Sequence, residues 1–150
     1  MNAALRQMVP DRIDELILRC EADAGLHITG DGNAEDELSG IEARLGHRLP
    51  APYRAFLGRL GGGVYYMRHE IFGARRVMTH DIELVPDVLS FAQWLGGTVP
   101  AGWLPIHRSA EGVHVIRLGV SDPAPVRALG GVGTTYADFT SFLDVLLLTR

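Results

Sequence analysis

The chain has 150 residues, 47% apolar and 21% charged. That is enough apolar surface to fold as one domain over residues 1–150 and excludes intrinsic disorder. The net charge of −4 opposes the basic footprint that nucleic-acid binding requires, and the absence of Lys rules out Schiff-base chemistry and a phosphate-loop lysine.

No apolar run reaches the length of a membrane span, and MNAALRQMVP has no cationic flank before an apolar stretch. The one cysteine, Cys20, forms no internal disulfide, which fits a cytoplasmic protein. In chain order, Pro10 opens a helix over 10–24, with Ile13, Leu16, Ile17, Cys20 and Ala24 at helical spacing. On that stripe Cys20 reads as core filler. A polar, Gly-rich link follows over 27–32.

Asn33 caps a second helix whose Leu38, Ile41 and Leu45 share a face and whose stop is Gly46. Leu49 leads into a third helix, where Pro50 and Pro52 are tolerated only in the first turn. Tyr53, Phe56, Leu57 and Leu60 form its stripe, and Gly61–Gly63 ends it. Strands are expected over 64–67, 70–72 and 75–79. A helix over 86–95 turns Val88, Phe91, Ala92 and Leu95 inward and stops at Gly96-Gly97. Residues 103–107 read as a strand, 113–118 as a central strand and 125–129 as a strand nearer an edge, because Pro125 lacks an N–H. Thr135 begins the last helix, with Asp138 as the third residue after it and Phe139, Phe142, Leu143 and Leu146 buried. This order predicts an α+β fold, a largely antiparallel (mixed) sheet packed by about five helices.

Catalytic patterns are scarce. Gly61–Gly63 follows a helix instead of preceding one, and Gly130–Gly133 lacks the nucleotide fingerprint, so both read as turns. There is no Gly-x-Ser-x-Gly and no zinc spacing. The six histidines are dispersed. His107 and His114 can face each other across a hairpin, but two ligands make a poor metal site, and exposed strand histidines are the plainer reading. Asp36 with Glu37 reads as a solvated helix start. Asp81 with Glu83 reads as a solvated face, with acid–base work or an interface as the sharper alternative. Trp103 is expected in the core, while Trp94 lies off its helix's inward stripe.

Ordered motifs carry a likeness. Leu45-Gly46-His47-Arg48-Leu49-Pro50, then Tyr53, Phe56 and Leu57, then Leu60-Gly61-Gly62-Gly63 resemble the opening of the SMI1/KNR4, or SUKH, superfamily. Ile71-Phe72-Gly73, Trp103-Leu104-Pro105-Ile106, Pro125-Val126 and Ser141-Phe142-Leu143 are similar to its later strands and last helix, so the likeness runs over about 37–148. Leu60 stands where the family often carries Asn. The resemblance implies a non-catalytic protein-binding domain with no cofactor. Its expected role is a bacterial immunity protein that neutralises a cognate toxin, often a nuclease, by occlusion. The rival readings are a regulatory scaffold for endogenous partners and a metal-dependent enzyme built on His107 and His114. Expected partner contacts are Glu70, Asp81, Glu83, Trp94, Glu111 and Asp122, acidic or aromatic residues in loops, strand ends or exposed faces. The sequence leaves the oligomeric state open.

Overall fold

The computed structural model describes residues 14–15, 18, 28–29, 35–60, 63–66, 68–79, 81–131 and 133–148. The helix expected over 10–24 lies outside them, apart from Asp14, Glu15 and Leu18, which are helical; Cys20, Asn33, Gly61 and Gly62 also lie outside. Among the described residues there are four α-helices where about five were expected, the one over 10–24 lying mostly outside them: α1 (Glu35–Leu45), α2 (Ala51–Leu60), α3 (Val88–Leu95) and α4 (Phe139–Leu148). The eight strands are β1 (Ile28–Thr29), β2 (Val64–Tyr66), β3 (His69–Ile71), β4 (Val77–Thr79), β5 (Ile82–Val85), β6 (Trp103–Ser109), β7 (Gly112–Arg117) and β8 (Val126–Ala128). The architecture is α+β, and every strand pairing is antiparallel.

Six strands form one sheet in the order β1-β2-β3-β6-β7-β8, and β4 pairs with β5 alone. Strand period dictates what each face carries. The inner face holds Val64, Tyr66, Ile71, Leu104, Ile116 and Val126, all buried. Tyr53 and Phe56 of α2 meet Phe139 of α4 edge-on at 5.2 and 5.3 Å, sealing the core. Phe139, Phe142, Leu143 and Leu146 are buried as their spacing predicts. Each such side chain contributes roughly 1.5–3 kcal/mol.

Local chemistry sets the junctions. Gly46 has φ of 74°, and its N–H donates to the Glu42 carbonyl 2.9 Å away, closing α1. Gly63 has φ of 82°, and a Cβ there would lie 2.5 Å from the Ile71 carbonyl oxygen, so only glycine fits. The Asp87 carboxylate accepts from the Ser90 N–H and starts α3. A bulge between Pro105 and His107 lets β6 accommodate a residue with no N–H.

The structure departs from the expected elements in three places. The last helix begins at Phe139, well after Thr135. Tyr136 is tied to Val126 by two backbone hydrogen bonds, and Asp138 caps the helix by accepting from the Ser141 N–H. The link expected over 27–32 contains β1, paired to β2. Residues Ile82–Val85, not expected as an element, form β5 by pairing with β4.

Candidate functional site

On the sheet's outer face, α3 lies against β6. Phe91 stacks on Phe72 with ring centres 4.3 Å apart, and Arg108 of β6 lies over both rings. Glu70, opposite Arg108 on β3, grips that guanidinium through two 2.7 Å hydrogen bonds. The pair raises the Arg108 pKa, first through its hydrogen bond to Glu70. Beside this platform runs a groove of about 310 Å³ lined by Glu83, Leu84, Pro86, Ser90, Phe91, Trp94 and Arg108. Trp94 is 75% exposed at its rim, and Ile82 of β5 is 65% exposed. Large apolar side chains held that far into water on a rigid support are how interface anchors look.

The structure brings together only some of the expected contacts. Glu83 and Trp94 line the groove, and Glu70 holds the Arg108 that lines it. Asp81 sits in the β4–β5 turn with φ of 65°, immediately before Ile82. Glu111 is exposed in the β6–β7 turn, where its N–H donates to Ser109 Oγ. Asp122 lies elsewhere, where its carboxylate accepts from the Ala51 N–H at 3.4 Å. Trp94 takes its surface position as its spacing allowed. Trp103 does not enter the core. It is half-buried on the outer face because strand alternation pairs it with Arg117.

His107 and His114 do meet, in register, and a third histidine joins them. His69 Nδ1 lies 2.8 Å from His107 Nε2, and His107 Nδ1 lies 3.2 Å from His114 Nδ1. The expectation of exposed strand histidines therefore fails: His107 is buried, and its two ring nitrogens lie against those of His69 and His114. Among the described residues no group of three metal-ligating side chains has the arrangement to hold an ion. His107 is 1% exposed beneath Phe142. Burial, helped by the neighbouring His114 and His69, pushes its pKa down to about 3. His69 and His114 are also lowered, first by burial, with Glu111 pulling the other way. Neutral imidazole has one donor and one acceptor nitrogen, so three neutral rings satisfy both contacts in either direction along the chain. The third ring was hidden from sequence reading because β3 and β6 are far apart in the chain.

A model of the SMI1/KNR4 family (SUKH-1) matches residues 32–145. The chain belongs to that family. No curated protein matches it. The match takes in α1 through most of α4, and so includes the groove and the histidine chain.

A larger cleft within the SUKH match, about 780 Å³, lies between α1, the start of α2 and the loop after β7. Three of its charged side chains, Glu35, Glu42 and Arg54, serve one another. Arg54 bonds both Glu35 oxygens at 2.7 and 2.9 Å and reaches Glu42 at 3.4 Å. The other oxygen of Glu42 accepts from the Leu49 N–H at 2.8 Å. Glu35 is lowered and Arg54 raised by this pairing. These contacts fasten the Pro-bearing restart of α2, a structural role. Among the described residues no helix is long and apolar enough to cross a membrane.

Proposed function

We propose that the chain is a non-catalytic, cytoplasmic protein-binding domain, and specifically an immunity protein that neutralises a cognate bacterial toxin by covering its active site. The carrying observation is the outer groove, where exposed Trp94 and Glu83 border a platform locked by Glu70 and Arg108. Family membership supports protein binding as the general activity. An aromatic anchor supplies affinity, while Asp81, Glu83 and the net charge of −4 speed encounter with a basic partner such as a nuclease. The histidine chain supports the same reading: both ring nitrogens of the buried His107 are taken up by contacts with His69 and His114.

The test is co-expression with the product of the adjacent open reading frame, followed by capture and an assay of that product's toxicity. A stable complex with loss of toxicity is expected, weakened by Trp94→Ala. No complex with any neighbouring effector refutes the proposal.

A further inference from the structure

The outer face of the sheet continues past the groove onto β6, β7 and β8. Trp103 stands opposite Arg117, and Arg127 stands opposite Val115, so strand alternation puts all four on this face. The Arg127 guanidinium lies 4.1 Å from the centre of the Trp103 ring, and that of Arg117 lies 5.5 Å from it. Val115 is 1% exposed, yet it stands outside the central core cluster. The strand rise puts Trp103 about 16 Å from Arg108 along β6.

The two arginines differ from the other described arginines. Arg54, Arg59, Arg75, Arg76 and Arg108 each meet a carboxylate. Arg44, Arg48 and Arg68 have no carboxylate partner among the described residues, but they are exposed. Among the described residues Arg117 and Arg127 meet none, although both are half-buried. The Nε of Arg127 is closed off from water and has no hydrogen-bond partner. Leaving a donor in that state is costly, and stacking on an indole offsets only part of the cost. The side chains are also held in place. Gly102 has φ of 85°, and a Cβ on it would lie 2.8 Å from Arg117 Nη1, so the guanidinium packs directly over that glycine. Two positioned, unpaired guanidinium groups present forks that match carboxylates. Pre-ordering lowers the entropy lost when such a partner binds.

A chain of net charge −4 repels a long polyanion, which favours a short acidic protein segment over nucleic acid. We propose that Trp103, Arg117 and Arg127 dock a carboxylate-rich segment of a partner protein. The inference rests on the protein-binding reading and not on the partner being a toxin. Its charge preference is opposite to that proposed for the groove, so a single partner spanning the face would present a basic region to one end and an acidic one to the other.

The test is a two-dimensional NMR titration of the full, isotope-labelled chain with hexaglutamate. Hexalysine, inorganic phosphate and hexathymidylate serve as comparisons. Hexaglutamate is expected to shift the Trp103 indole N–H and the amides of Arg117 and Arg127. In Arg117→Gln/Arg127→Gln its affinity should fall at least about tenfold, the effect of losing one charged hydrogen-bonding group. If the double variant loses its folded spectrum, Arg117→Gln alone carries the comparison. No shift at these positions overturns the proposal. So does an equal response to phosphate at the same concentration, or tighter binding of hexathymidylate. A toxin complex without a hexaglutamate response overturns this inference alone. A hexaglutamate response without any toxin complex overturns the toxin reading alone.

Discussion

Acidification should destabilise this protein before its carboxylates titrate, because of the histidine chain. His107 titrates near 6.5 in the unfolded chain and at about 3 in the folded one. Between those values the unfolded state binds the extra proton, so stability is complete above pH 6.5 and falls as pH falls. At pH 5 the medium is about 1.5 units below the unfolded value. At about 1.4 kcal/mol per unit, His107 alone removes about 2 kcal/mol relative to pH 7.5. His69 and His114 act in the same direction. Burial explains the sense of the effect, because a charged imidazolium at His107 is cut off from water. One extra proton can be placed with both contacts kept. A second makes two donors face each other and breaks a contact. Urea unfolding followed by tryptophan fluorescence at pH 7.5 and 5.0 measures the difference. The melting temperature should fall by about 4–8 °C for a chain of this size. His107→Leu should flatten the pH dependence, whatever its own cost at pH 7.5. Equal wild-type stability at the two pH values would refute the reasoning.

Three further outcomes follow from the packing. Deleting Phe139–Arg150 removes the buried side chains of Phe139, Phe142, Leu143 and Leu146, each worth roughly 1.5–3 kcal/mol; a soluble truncation that melts cooperatively would disprove the essential role of α4. Gly63→Ala puts a methyl 2.5 Å from the Ile71 carbonyl oxygen at positive φ, so unfolding should show a loss of about 1–3 kcal/mol or more, and unchanged stability counts against the geometry of the α2–β2 turn. Trp94→Ala should alter stability by under about 0.5 kcal/mol because the side chain is solvent-facing. The same change should weaken partner capture by about tenfold or more; undiminished capture would remove the groove from the interface.

The candidate surface was only partly legible in the sequence. Trp94 was recognisable as an outward residue because its position off the α3 stripe is a local property of helical periodicity. Glu70 looked like a free acid, because its partner Arg108 is joined to it only by the β3–β6 pairing. Asp122 was grouped with the acidic contacts, yet folding sends it to the first turn of α2. Trp103 resembled a core residue by type, and only its face on β6 decided otherwise.

Short-range order was written in the chain itself. Apolar spacing and glycine stops placed α1, α2 and α3, since both act within a few residues of one another. The pairing of His107 with His114 was also within reach, because one hairpin joins them. What sequence could not specify came from contacts between distant segments. β1 is two residues long and exists only through its bonds to β2; α4 starts late because Tyr136 is held by Val126. The third histidine, the Arg108 platform and the tryptophan between two arginines have the same origin. Sheet pairing creates each of them, and its register is set by the collective burial of one face, which no local window of residues contains.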